Sequence, residues 1–500
     1  MSSISKCPPL LPQQNGAAPA SATRTGPNKT WWLVLCSCLF AWLLFYQSPS
    51  SFQQSETLHK FYFNITDPTN ICSSPKGPAV SHAGYIGLKS DTESAPKRSF
   101  FWFFEAENDA EKAPIILTIG GGPGTSGLIN PLLAQGPCLA AENGSTVPNP
   151  NRWTEHFNLL ALDHPVGAGA SYGTLVNNSR DAALDVYDFL QKFFVIYPHL
   201  ISNQFVLSGG SYGGMYIPHI ATVIHEQNIA LAAGKGQPGA VHINLESMML
   251  SNPLSDAISY FGWVLQHRCY DVPDMYNATT CAELFQVLPT CLEAVQLAQQ
   301  QSAPGPRVAA MNLCGPLVLG DRHGTVLEDV RKKCNSKDQL DCLPPSFGWV
   351  KQFFQQQDTK HALGIPDFVD FQAIAVNVTI EFSKYGDVIQ PAYLLYEPLL
   401  KDGIRLLHYI GAQDANCAWP AIISFLRLLQ SPFQEEFLRA PDVPWPTAED
   451  ATIRVVGDGA GNMTYILVQQ AGHFVAHDQP ELVKSIVEHW VQNVAFDSNP

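Results

Sequence analysis

Residues Gln204 to Ala221 read QFVLSGGSYGGMYIPHIA. The stretch opens on a short apolar run, Phe205-Val206-Leu207, and turns through four glycines around Ser211. It continues as an amphipathic run from Met215 towards His225. Strand, sharp turn and helix, with Gly-x-Ser-x-Gly at the turn, make the pattern of a nucleophile elbow. The glycines let two backbones pass close together and tolerate strained dihedrals. The serine hydroxyl then stands at a strand end, beside the positive end of a helix dipole. An ordinary glycine-rich strand-to-helix turn carries the same local pattern. The rest of the chain therefore has to supply a base, an acid to orient it and an oxyanion hole.

Outward from the elbow, other short apolar runs end in turns: Ile115 to Ile119, Leu159 to Leu162, Met248 to Leu250, Leu406 to Ile410 and Tyr465 to Val468. Runs of this length, apolar on both faces, predict buried parallel strands. Helical patterns lie between them. Asp181 to Tyr197 places Ala183, Tyr187, Leu190 and Phe194 on one stripe and ends at Pro198. Pro480 to Gln492 does the same with Leu482, Ile486 and Trp490. The alternation predicts an α/β fold, a mostly parallel central sheet flanked by helices. It fails from Ala257 to Tyr385, where six cysteines and helical pieces such as Ala282 to Gln300 replace it. Residues 257–385 thus read as a disulfide-rich cap insertion between two parts of the core, 61–256 and 386–500. Six cysteines allow fifteen pairings, and the sequence does not choose among them.

The 500-residue chain carries a net charge of −15 with only 15% charged residues, which argues against a nucleic-acid partner. None of the twelve cysteines forms Cys-x-x-Cys, so neither zinc nor a redox pair is expected, and no cofactor motif appears. Three cysteines (Cys7, Cys36, Cys38) precede the body; the nine that follow leave one thiol over. Scattered cysteines beside Asn-x-Ser/Thr sequons at Asn64, Asn143, Asn177, Asn277, Asn377 and Asn462 suggest an oxidising lumen and glycosylation.

Residues 1–30 read as a disordered cytosolic tail with Lys6, Arg24 and Lys29 and no acid. Trp31 to Gln47, WWLVLCSCLFAWLLFYQ, is uncharged and just long enough to span a bilayer as a helix. Basic residues ahead of it place the N-terminus inside, as in a type II signal-anchor followed by a stem, 48–60. The body would then be lumenal, vacuolar or extracellular. The alternative is a cleaved signal peptide and a secreted body.

A serine hydroxyl needs a histidine to take its proton, and an acid to hold the histidine tautomer. In this architecture the chain order is serine, acid, histidine. Asp414 follows the Leu406 run, and His473 follows the Tyr465 run. Each stands just past a strand's carboxyl end, where ligands bind in open α/β sheets. Alone, either reads equally well as a turn aspartate or a helix-edge histidine. For the oxyanion, Tyr212 supplies one backbone N–H, and the loop Gly120-Gly121-Gly122-Pro123-Gly124 is the natural source of the other. Pro123 interrupts that loop's approach to a helix, so a dinucleotide site does not fit.

Four segments together resemble the serine carboxypeptidase family of the α/β-hydrolase fold, most closely its fungal secreted and vacuolar members. They are GGGPGTSG (Gly120 to Gly127), LDHPVGAGASYG (Leu162 to Gly173), SGGSYGGMYIPHIA (Ser208 to Ala221), and GAQDANCAW (Gly411 to Trp419) with AGHFVAHDQP (Ala471 to Pro480). The resemblance implies Ser211 as nucleophile, Asp414 as orienting acid and His473 as general base. It implies Gly122 and Tyr212 as oxyanion donors, Gly121 and Cys417 beside the substrate, and Cys417 as the unpaired thiol. It also marks departures. The family usually has Asn at Gly120 and Glu at Gly210 and about Ala134, side chains that hold a peptide's C-terminal carboxylate. It has Cys at Thr125 and Gln at His164. The implied activity is removal of C-terminal residues from peptides through an acyl-enzyme. The alternative is a carboxypeptidase-like esterase or acyltransferase of specialised metabolism that keeps the triad and lacks the carboxylate clamp. Either way the partner is a peptide or ester substrate; the oligomeric state is left open.

Overall fold

The computed structural model describes residues 60–498 apart from 69, 320–323, 337–338 and 447. The tail, the expected anchor Trp31 to Gln47, most of the stem, and Cys7, Cys36 and Cys38 lie outside the described residues. Among the described residues no helix is long and apolar enough to cross a membrane.

One large sheet organises the body. Its main strands are β1 (Phe63–Thr66), β2 (Ser81–Gly87), β3 (Lys97–Phe104), β4 (Ile115–Ile119), β5 (Asn158–Leu162), β6 (Phe205–Gly210), β7 (Leu245–Ser251), β8 (Arg405–Gly411), β9 (Val443–Trp445), β10 (Ala448–Val456) and β11 (Met463–Val468). They lie in the order β1-β2-β3-β5-β4-β6-β7-β8-β11-β10-β9. From β5 through β11 the pairings are parallel. At both edges they are antiparallel. The sheet is therefore mixed, with a parallel centre rather than parallel pairing throughout. The edge strands escape a reading by alternation because β2 passes to β3, and β10 to β11, through turns with no helix between.

Side chains alternate across the central strands, as a pleat requires. Ile115, Leu117 and Ile119 of β4 join Phe205 and Leu207 of β6 in one core. Ile116 and Val206 face the opposite core. Helix α1 (Ser179–Ile196) and helix α2 (Gly213–Ala232) cover the first face. Helix α1 starts where the Asn178 side chain accepts the Asp181 N–H, a capping bond that satisfies an otherwise orphan donor. All four residues of its expected stripe are buried. Helix α3 (Ala278–Gln299) lies far along the chain in the segment between β7 and β8. Helix α4 (Pro480–Val491) closes the second face with Val483, Ile486, Val487 and Trp490; Leu482 is only partly buried at its edge.

The segment between β7 and β8 is helical and keeps a small core of its own, including Phe261, Leu284, Val295 and Ile389. Its six cysteines pair between neighbours: Cys269–Cys281, Cys291–Cys314 and Cys334–Cys342. Cys72–Cys138 staples the core, and Cys417 is buried and unpaired.

Candidate active site

Strand β6 ends, Ser211 turns, and α2 begins two residues later. Ser211 sits at φ 57°, in the left-handed region that non-glycine residues rarely adopt. Such a conformation costs about 1–3 kcal/mol and persists only where neighbours restrain it. Here the Ser211 N–H donates to the carbonyls of Ser251 and Asn252 at 3.1 and 3.2 Å. Its own carbonyl accepts from Gly214 and Leu254 at 2.9 Å each. The side chain is half-buried.

Asp414, in the turn after β8, is fully buried. Its Oδ2 lies 2.6 Å from His473 Nδ1. The same oxygen accepts from Asn252 Nδ2 at 2.8 Å, and Oδ1 accepts the N–H groups of Asn416 and Cys417 at 2.7 and 3.1 Å. Four donors thus fix the carboxylate. His473 follows β11 and is 8% exposed. Burial lowers its pKa, but the charge and hydrogen bond of Asp414, with Glu328 near, outweigh burial and raise it above 6.5. Burial first, then the charges of Asp414 and Glu328, push the Cys417 thiol well above its ordinary value, which keeps it un-ionised and inert.

The glycine loop after β4 packs directly on the elbow. A Cβ on Gly121 would fall 2.7 Å from Ser211 Cβ and 2.9 Å from Tyr212 N, so only glycine allows this approach. Gly122 sits at φ 107°. Among the described residues neither the Gly122 nor the Tyr212 N–H donates to a backbone carbonyl. Both flank Ser211, so both donors are available to a developing oxyanion. Two cavities meet at the serine. One, of about 340 Å³, is bounded by the glycine loop, Ser211, His473, Phe474 and the segment 129–135. The other, of about 240 Å³, is lined by Tyr212, Leu254, Tyr260, Phe382 and Cys417.

Gly120, Ala134 and Gly210 all line the larger cavity. A Cβ at Gly120 would meet the Thr125 carbonyl at 2.1 Å, and one at Gly210 the Ser251 Oγ at 2.5 Å. Backbone and hydroxyl have closed over both positions. His164 is buried against Tyr216, and burial lowers its pKa to about 3. Of the sequon asparagines, Asn64, Asn143, Asn177, Asn277 and Asn377 are exposed. Asn462 is half-buried, and its partner Thr464 is buried with its hydroxyl bonded to the Ala460 carbonyl at 2.7 Å.

Sequence reasoning missed Asn252. Its amide accepts the Gly411 N–H at 2.8 Å while bonding Asp414, so it ties the elbow to the acid turn. Its signal was a polar residue just past the end of β7, the position rule that singled out Asp414 and His473. Glu328 was missed too. Its carbonyl accepts the His473 N–H at 2.7 Å from a loop distant in sequence.

An elbow serine, a buried Asp–His pair and two free N–H groups at the carboxyl end of a parallel sheet define a serine hydrolase of the α/β-hydrolase fold. Residues 74–493 match the family described as serine carboxypeptidase. Carboxypeptidase Y homolog A of Podospora anserina is 30% identical over 419 residues, 82% of this chain and 72% of that one. Its counterpart in Neurospora crassa is 29% identical over 425 residues, 83% and 73% of the two chains. A prohormone-processing carboxypeptidase from Saccharomyces cerevisiae superposes with a TM-score of 0.72 over 86% of this chain and 94% of that one; at 21% identity the likeness speaks to fold. The chain belongs to the serine carboxypeptidase family, and its activity is that of a serine carboxypeptidase.

Proposed function

We propose that Ser211 attacks the carbonyl of the last peptide bond, with His473 as general base and Asp414 holding its tautomer. Gly122 and Tyr212 donate to the oxyanion. His473 then protonates the leaving amine, and water resolves the acyl-enzyme by the same route. The leaving residue occupies the larger cavity beside Gly121, and the acyl side chain the smaller one near Cys417. The observation that carries the reading is the buried His473–Asp414 pair, 2.6 Å apart, whose histidine lines the same cavity as the strained Ser211. Ser211→Ala should lower kcat on a blocked dipeptide by roughly 10⁴-fold or more, leaving the far-ultraviolet dichroism unchanged. Parental turnover in the purified variant would refute the assignment.

The insertion 257–385 acts in this reading as a cap over the acyl-side cavity, which Tyr260, Met311 and Phe382 line. The body resides in the lumen of the secretory pathway, held by Trp31 to Gln47 as a type II anchor, with a cleaved signal as the alternative. The five exposed sequons carry glycans, and the half-buried Asn462 stays bare.

The ester or acyl-transfer reading draws support from the larger cavity. Gly120, Ala134 and Gly210 line it at the positions where the resemblance expects Asn and two Glu side chains. Anion recognition relies on charge-assisted donors. A C-terminal carboxylate is therefore held less selectively here than the family resemblance implies.

A further inference from the structure

The leaving residue of a peptide carries an α-carboxylate, and only its Cα separates that group from the scissile nitrogen. The wall that receives it therefore lies close to Ser211. Gly120, Ala134 and Gly210, which line the larger cavity, offer no polar side chain. The lining does include an acid, Glu328, whose charge acts on His473. A carboxylate bound there meets that negative charge, so it needs a positive one to be held. Among the described residues of the lining, two side chains can carry a positive charge, His473 and His477. His473 is taken up by Asp414, 2.6 Å from its Nδ1, and by its work as the base. His477 has no part in that work.

His477 belongs to the short turn Val475–Asp478 that follows His473. This turn packs against Pro131–Gln135, and both bound the same cavity. The His477 N–H donates to the Phe474 carbonyl at 2.9 Å. Its side chain is 32% exposed, so the ring is open to a ligand. Nδ1 lies 3.3 Å from Asp478 Oδ1. Asp478 is fixed in turn, its Oδ2 accepting the Gly472 N–H at 2.8 Å and Arg331 Nη2 at 3.3 Å. Burial raises the Asp478 pKa, but the bonds from His477 and the Gly472 N–H and the charge of Lys332 outweigh it and hold the group below its ordinary value. An ionised Asp478 keeps a proton on Nδ1, which orients the ring and leaves Nε2 for a second partner.

A protonated imidazole donates from both nitrogens. With Nδ1–H on Asp478, Nε2–H matches a carboxylate oxygen, and a charged donor on a charged acceptor makes the stronger class of hydrogen bond. We infer that His477 binds the C-terminal carboxylate of the peptide and is the residue by which this cavity tells a free acid from an amide. The inference rests on the reading above that the leaving residue occupies the larger cavity.

The test measures kcat and KM at mildly acidic pH for a blocked dipeptide and for its C-terminal amide. The enzymes are the parent, His477→Phe and His477→Lys, with rates taken per site that a fluorophosphonate labels at Ser211. Both substrates use His473 as base, so its titration cancels in their ratio. In the parent, kcat/KM for the acid should exceed that for the amide by about tenfold or more, the size of one hydrogen bond to a charged group. His477→Phe keeps a ring of similar shape and should lower this ratio by about tenfold, chiefly by raising KM for the acid. His477→Lys restores a cation and should return the ratio to within about threefold of the parent. An unchanged ratio in labelled His477→Phe would overturn the inference. So would an equal fall in His477→Lys, or a parent that does not prefer the acid. Failure of the parent to label and to cleave either substrate would instead remove the hydrolytic reading, and the inference with it.

Discussion

Asp414 governs how the histidine titrates. With its pKa raised above 6.5, His473 is charged at mildly acidic pH and becomes a base only as the pH rises through the folded value. The fold favours the charged form. The stability His473 contributes is therefore complete below its unfolded pKa and is lost as pH rises through the higher folded one. Asp414→Asn removes the two largest raising influences and leaves burial, which lowers the pKa. The acid limb of kcat/KM for that variant should move to lower pH, and kcat should fall by about 10⁴-fold, as for the wrong histidine tautomer. A pH profile across mildly acidic to neutral values checks both; an unmoved limb would mean that Asp414 does not set the titration.

Elements reach the site through a few buried polar knots. Asp387, fully buried near the end of the segment between β7 and β8, accepts the Ser179 N–H at 3.0 Å and the Ser179 hydroxyl at 2.5 Å. Its Oδ2 also accepts the Tyr212 hydroxyl at 2.8 Å, and its Oδ1 the Gln390 amide. One carboxylate thus joins the start of α1, the residue after the nucleophile and a segment more than 170 residues away in sequence. Asp387→Asn keeps the volume but loses charge-assisted acceptance. It should cost on the order of 3 kcal/mol in urea unfolding. It should also lower kcat more than it raises KM, because the Tyr212 N–H proposed to hold the oxyanion shifts. Equal unfolding midpoints for parent and variant would contradict this account. A second tie is the loop 325–331. Leu327 and Glu328 carbonyls accept from Ala415 and His473, and the Val330 N–H donates to Gln413, so one strap braces both the acid and the histidine turns.

At the scale of the molecule, two apolar cores sandwich the sheet, and the residues proposed as catalytic gather where the central strands end. The chain ahead of the body carries its own expectation. If Trp31 to Gln47 spans a bilayer with Lys6, Arg24 and Lys29 on the cytosolic side, alkaline carbonate should leave the full-length protein in the membrane pellet. Protease added outside sealed vesicles should then remove only the tail. Recovery of a soluble chain beginning after about residue 47 would favour a cleaved signal instead.

The sequence by itself determined what depends on short range. Apolar runs bounded by turns marked the central strands, because both faces of those strands are buried. Glycines around Ser211 marked the elbow, because a side chain at Gly210 or Gly214 would collide with Ser251 or Leu254. Chain order placed Asp414 and His473, and an odd number of body cysteines announced a free thiol, found at Cys417. Tertiary structure decided the rest. Asn252 meets Asp414 across 162 residues, and Asp387 meets Tyr212 across 175. Neither separation leaves a local pattern to read. The antiparallel edges were invisible for a related reason: no helix separates their strands. The character of the leaving-residue cavity is tertiary as well. From the sequence, Gly120 and Gly210 are missing side chains. In the fold, the Thr125 carbonyl and the Ser251 hydroxyl fill their places. Whether a polar group is satisfied depends on what surrounds it in three dimensions, and one chain's letters do not state that.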